Sequence, residues 1–159
     1  MASGKTHALA NAGVLIATAV LVVPNVALPL AAGAVTGATL GLLITPDIDH
    51  NARTHEENRI YKHGGPVVGW LWVMFWRRYQ RTHPHRGNSH KPLTGTLGRW
   101  RYILVRLWPL VLLFLYLGEW QPANVLAFVW ACYCFNALQD LVHLILDRGR
   151  YHKERKRKK

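Results

Sequence analysis

A run of 38 residues, Ala8 to Thr45, carries no charged side chain and stops at Pro46-Asp47-Ile48-Asp49-His50. So long an apolar stretch must be hidden, either in lipid or in a large protein interior, because surface helices of soluble proteins alternate apolar and polar positions at their own period. At 159 residues the chain is one domain by length, and it scarcely supplies the interior that two uncharged helices need. A membrane is therefore the expected solvent. Pro24-Asn25 divides the run into helices over 8–23 and 28–45. Each rises roughly 24–27 Å, a little under a hydrocarbon core of about 30 Å, so the hairpin calls for local bilayer thinning. Lys5 before an apolar run is a feature of secretory signals. The stretch outlasts an h-region, however, and shows no clear cleavage site, which favours an uncleaved hairpin.

Gly33, Gly37 and Gly41, four residues apart, form a stripe of small residues suited to close helix packing in membranes. Residues 51–65 read as a polar loop. The segment 66–76 is too short to span and contains Trp70, Trp72 and Trp76, so it is placed at the interface or folded onto the helices. Residues 77–91 form a basic, His-rich loop. A third helix over 97–118 begins with Arg99, Arg101 and Arg106 and contains Pro109, an expected kink. A fourth covers 123–146, and 148–159 is a basic tail expected to be disordered. The expected fold is all-α: a four-helix transmembrane bundle with a short interfacial helix and a His-rich cytoplasmic loop. Residues 1–150 make the helical membrane domain with its metal site, and 151–159 the basic cytoplasmic tail.

Lys and Arg total 20 against 8 Asp and Glu, a formal charge of +12. None of the basic residues falls in the short connections around Pro24 and Glu119. The positive-inside rule then places both termini and the central loop in the cytoplasm. The same charge suits anionic lipid headgroups as partners. Nucleic acid ranks lower, since topology already explains the basic clusters and no recognition motif accompanies them. The two cysteines, Cys132 and Cys134, point to nearly opposite sides of a helix and suit neither a disulfide nor a thiolate metal site.

This topology gathers the chemistry at one membrane face. His7 starts the first helix there, and Asp47, Asp49 and His50 end the second. His83, His85 and His90 occupy the loop, and His143 and Asp147 finish the fourth helix. His143 and Asp147 are spaced i, i+4 and share a helix face, an arrangement that suits zinc, manganese or iron. A hydrogen-bonded His–Asp pair at a helix end is the simpler reading of that spacing alone. Asp140, one turn earlier, lies deeper and needs a partner, with support of a ligand histidine as one role. Asp47 and Asp49 point the same way if their segment is extended, though a plain helix stop at Pro46 explains them equally well. In His85-Arg86-Gly87-Asn88-Ser89-His90 the glycine permits a tight backbone that draws two imidazoles together, and Arg86 offers a planar fork to phosphate. The alternative there is a basic loop lying on headgroups. His55, His63 and His152 read as solvated loop residues, and His50 is only a weak candidate.

Ser3-Gly4-Lys5-Thr6-His7, Pro46-Asp47-Ile48-Asp49, His85-Arg86-Gly87-Asn88-Ser89-His90 and His143-Leu144-Ile145-Leu146-Asp147 occur in an order that resembles bacterial inner-membrane metal-dependent hydrolases. The opening Ser-Gly-x-Thr-His and the run Ser89-His90-Lys91-Pro92 with Gly95-Thr96 look most like a sister family of uncharacterised metal-binding membrane proteins. Both are distantly similar to zinc-dependent phospholipase C and fungal single-strand nucleases. The resemblance implies His7, Asp47, Asp49, His85, His90, His143 and Asp147 as metal positions, and zinc as the first metal to test, with manganese or iron next.

The leading functional expectation is a hydrolase of the bacterial inner membrane, multi-pass, acting on a phosphoester or phospholipid-like substrate. His85 or an unliganded Asp serves as base and Arg86 offsets phosphate charge. The alternative is a non-catalytic membrane metal-binding module that recruits a partner through its basic loop and tail. Substrate, metal count and oligomeric state are not legible.

Overall fold

The computed structural model describes residues 4–49, 54–83, 91, 93–117 and 121–157, without the side chains of 49, 114, 117 and 149–157. Five helices account for the architecture, and the described residues include no strand: α1 Gly4–Ala17, α2 Leu28–Leu40, α3 His55–Thr82, α4 Thr94–Leu117 and α5 Pro122–Arg157. All-α is the fold class.

α1 is prolonged by a π-helical turn, Thr18–Val22, and a 3-10 turn, Val23–Asn25. Buried Thr18 donates to the Val14 carbonyl, a back-bond that competes with the regular ladder where the helix changes pitch. α2 ends at Leu40, short of the expected Thr45, and Pro46–Asp49 forms a 3-10 turn and not the extended segment on which a shared direction of Asp47 and Asp49 depended. Gln80 on α3 donates to the Ile48 carbonyl at 2.9 Å and so fixes that turn.

From His55 onward, α3 replaces the loop expected over 51–65. Thr54 accepts from the Glu57 amide while the Glu57 carboxylate accepts from the Thr54 amide, a complete capping box, and helix follows at once. The helix breaks at Gly65, whose φ of 79° only glycine adopts freely, because Pro66 cannot continue the ladder. Beyond the break, Trp76 and Tyr79 pack with Ile44 and Ile48, flanked by Trp72, Phe75 and Tyr102. The expected short interfacial helix is thus the second half of a longer element whose Trp76 is fully buried. α5 continues to Arg157, so helix replaces the expected disordered tail at least that far.

The stripe of small residues on α2 meets α5. A Cβ added to Gly37 would lie 2.8 Å from the Cys132 Cα, and one on Gly33 would lie 3.0 Å from the Phe128 carbonyl carbon and the Ala131 Cβ. Backbone thus lies directly on backbone.

Burial is inverted relative to a soluble bundle. His7, Asn11, Thr96, Arg99, Asn136, Gln139, Asp140 and His143 are buried, whereas Leu28, Leu110, Leu126 and Trp130 are exposed, Leu28 by 80%. Large apolar surfaces of this kind call for a partner or for lipid. Two stretches among the described residues, Gly4–Asn25 and Pro122–Arg148, are long and apolar enough to cross a membrane.

Candidate metal centre

Two helices and one turn bring the candidate ligands together. His7 lies in the second turn of α1, and His143 and Asp147 lie one turn apart on α5. Asp47 sits in the 3-10 turn held by Gln80. The His7 and His143 rings stack at 3.7 Å with an interplanar angle of 9°.

A polar latch one turn further into the bundle sets that stack. Asn11, four residues after His7, donates to the Gly41 carbonyl at 2.9 Å. Gln139, four residues before His143, donates to the Asn11 carbonyl at 3.1 Å and to the Ala38 carbonyl at 2.7 Å. Each amide shares a helix face with its histidine. Fixing α1, α2 and α5 at this level therefore fixes the two imidazoles above it. Interhelical bonds of this kind contribute about 0.6–2 kcal/mol each inside a membrane.

On α4, Arg99 and Thr96 both donate to Asp140, and all three side chains are buried. The expected partner of Asp140 is therefore this pair; among the described residues no bond to a histidine accompanies it. Trp100 adds a bond to Asn136 at 3.1 Å.

The His7 Nε2 lies 3.2 Å from Asp147 Oδ1. The His143 Nε2 lies 3.8 Å from Asp147 Oδ2 and 3.4 Å from Asp47 Oδ2. Ligand atoms of His7, His143 and Asp147 are all within 4.8 Å of one another. Bonds of about 2.0–2.2 Å to a tetrahedral ion put neighbouring ligand atoms roughly 3.3–3.6 Å apart, so the observed spacings need only small adjustments to close on one. Among the described residues the His143 Nε2, turned toward Asp47 and Asp147, is buried without a hydrogen bond. An unsatisfied imidazole nitrogen facing two carboxylates suits a divalent ion. The donor set of imidazole and carboxylate, with no thiolate, accommodates zinc, manganese or iron.

The two kinds of ligand differ in access. The histidine side chains are 3% and 1% exposed, and those of Asp147 and Asp47 are 18% and 21% exposed. Imidazoles form the floor of the centre and carboxylates its rim.

Of the residues expected from the sequence, His7, Asp47, His143 and Asp147 are brought together. The Asp49 backbone completes the same turn, but its side chain, like His50, His85, Arg86 and His90, lies outside the described residues. His55 and His63 belong to α3 and not to a loop, and His83, the C-cap residue of that helix, stacks on Tyr79 at 4.1 Å.

Glu56 was not anticipated. It occupies the first turn of α3, is 5% exposed, and feels the charges of Asp47 and His143. Burial pushes its carboxyl above the usual carboxylate range, and the charge of Asp47 adds to the shift. The capping pattern Thr54-x-x-Glu57 is the signal that places it.

The sequence model of one protein family, described as "Uncharacterized metal-binding protein (DUF2227)", matches residues 2–148. No curated protein and no solved structure matches the chain.

Proposed function

We propose, starting from the fact that this chain belongs to that metal-binding family, that it is an integral membrane hydrolase of phosphoesters at the cytoplasmic face. The observation that carries the catalytic reading is the asymmetry of the centre. Its imidazoles are sealed while the side chains of Asp47 and Asp147 are partly exposed. A purely structural ion is normally enclosed by its ligands, and a catalytic one keeps an open position.

His7, His143 and Asp147 hold the ion, and Asp47 joins them at the rim. When bound, the ion supplies Lewis acidity toward a phosphoryl oxygen and a water that ionises near neutral pH. Hydrolysis adds the water oxygen to phosphorus as the bond to the alcohol breaks. His85, or a rim carboxylate not engaged with metal, takes a proton from the water and returns one to the departing alkoxide. Arg86 pairs with the phosphate through its planar fork.

Exposed apolar side chains around a polar interior, with two helices of spanning length, support lipid as the surrounding solvent. The ends of α1 and α5 that carry the site also carry Lys5 and Arg148. The positive-inside rule assigns such ends to the cytoplasm, and a bacterial inner membrane fits that asymmetry. At this depth a phospholipid or another anionic phosphoester is within reach.

The test uses the full chain in mixed phospholipid vesicles, loaded in turn with zinc and manganese. Release of phosphate or phosphoalcohol is followed from phosphatidylglycerol, phosphatidate and a chromogenic phosphodiester. Turnover that requires metal and disappears in His143→Ala supports the proposal. A fully metal-loaded protein that cleaves none of them favours the non-catalytic module.

A further inference from the structure

Resting on the membrane placement proposed above, we infer that the second arm of α3, residues 66–82, is a docking surface for anionic phospholipid. Val67, Trp70, Leu71 and Met74 enter the acyl region of the cytoplasmic leaflet. Arg77, Arg78 and Arg81 hold headgroup phosphates beside the turn that carries Asp47.

Helical period divides this arm into two faces. Gly69, Trp76 and Tyr79 are buried, with half-buried Trp72 in the same row of three- and four-residue steps. Opposite them Val67, Leu71, Met74, Arg78 and Arg81 form one exposed row by the same steps, flanked by Trp70 and Arg77. Along that face the chemistry changes once. The large apolar side chains that α3 exposes among the described residues all lie between Val67 and Met74, and the three arginines follow. No acidic residue occurs from 66 to 82, and none of these arginines pairs with a carboxylate among the described residues.

A helix lying flat on lipid keeps its charges along one side. Here apolar and basic residues succeed one another along the axis, so the arm dips obliquely into the leaflet. From Val67 to Met74 the helix rises roughly 10 Å, the depth to which interfacial helices reach, and the arginines come to rest at phosphate level. Their planar forks suit phosphate oxygens. The break at Gly65 separates this arm from His55–Gly64, which exposes no large apolar side chain and stays on the water side. Gln80, in the helical turn bounded by Arg77 and Arg81, donates to the Ile48 carbonyl at 2.9 Å. Ile48 adjoins Asp47, whose Oδ2 lies 3.4 Å from the His143 Nε2. Headgroups gathered by the arginines thus arrive at the rim of the centre, which makes anionic phospholipid the substrate class.

The full chain in equimolar phosphatidylcholine and phosphatidylglycerol vesicles tests this, with brominated acyl chains on one lipid at a time. Quenching of Trp70 and of Trp130, an exposed residue of α5, is read by difference from Trp70→Phe and Trp130→Phe. One arginine near an anionic surface contributes about a fivefold preference, so brominated phosphatidylglycerol should quench Trp70 at least about twofold more than brominated phosphatidylcholine. Replacing Arg77, Arg78 and Arg81 together by Gln should abolish that preference with helicity unchanged by circular dichroism. Should the triple variant lose helicity, Arg78→Gln alone decides, a smaller preference being expected and an unchanged one refuting the assignment. Equal quenching of Trp70 by both lipids, or a preference that survives loss of all three arginines, overturns the headgroup site. Trp70 unquenched while Trp130 is quenched overturns the docking and leaves the face to another protein chain. Trp130 unquenched as well sinks the membrane placement itself. No metal is added and nothing is hydrolysed, so each outcome is separate from the test of turnover.

Discussion

Replacing Gly37 and Gly13 by alanine, one at a time, asks whether the contact between α2 and α5 is as close as it looks. Both glycines lie in helices, so alanine gains about 0.5–1 kcal/mol of conformational free energy at either position. At Gly13 the added methyl meets nothing within 4 Å. At Gly37 it would sit 2.8 Å from the Cα and carbonyl carbon of Cys132, and these are backbone atoms that no rotamer change can move. Carbon atoms prefer about 3.5–4.0 Å, so the helices must part by roughly 1 Å, enough to forfeit a quarter to a half of the dispersion energy in the contacts they share. Overpacking of this kind costs about 1–3 kcal/mol, which exceeds the gain from alanine. The two variants should therefore move in opposite directions. At about 2–4 °C per kcal/mol for a chain of this size, Gly37→Ala should melt several degrees below Gly13→Ala. Tryptophan fluorescence during heating, in one detergent for all samples, measures the difference. Equal melting temperatures, or a more stable Gly37→Ala, would refute the backbone-on-backbone packing.

Further outcomes follow from the buried polar groups. Asp140→Leu removes the carboxylate that buried Arg99 pairs with and should cost about 3–5 kcal/mol, whereas Arg99→Met combined with Asp140→Leu should recover most of the loss in a thermal melt. For Glu56 the folded carboxyl titrates above its unfolded value. Its stabilising contribution is thus complete below the ordinary carboxylate range and is lost as pH rises through the raised folded pKa. Metal-free protein should lose stability across that interval in denaturant titrations, and Glu56→Gln should flatten the slope.

Patterns confined to one helix were legible in the sequence. Gly33, Gly37 and Gly41 announce a close-packing face, and His143 with Asp147 announces a shared one, because both depend only on helical period. The partners of those faces were not. His7 and Asp147 are 140 residues apart, and nothing local says that α1 and α5 end side by side. Asn11 and Gln139 look like ordinary polar residues until their interhelical bonds are seen, and Arg99 looks like a residue at a helix end until Asp140 reaches it. The start of α3 was legible in principle, since Thr54 and Glu57 have capping-box spacing. The polar composition of 51–65 masked it. Glu56 was hidden for the same reason, as a carboxylate in an apparent loop reads as solvated.

X-ray absorption at the metal edge of the full chain, compared with His7→Ala/His143→Ala, tests the centre most directly. Nitrogen and oxygen neighbours at about 2.0–2.2 Å are expected, with outer scattering from two imidazoles that vanishes in the double variant. A spectrum without imidazole, or one unchanged when both histidines are removed, would contradict this expectation.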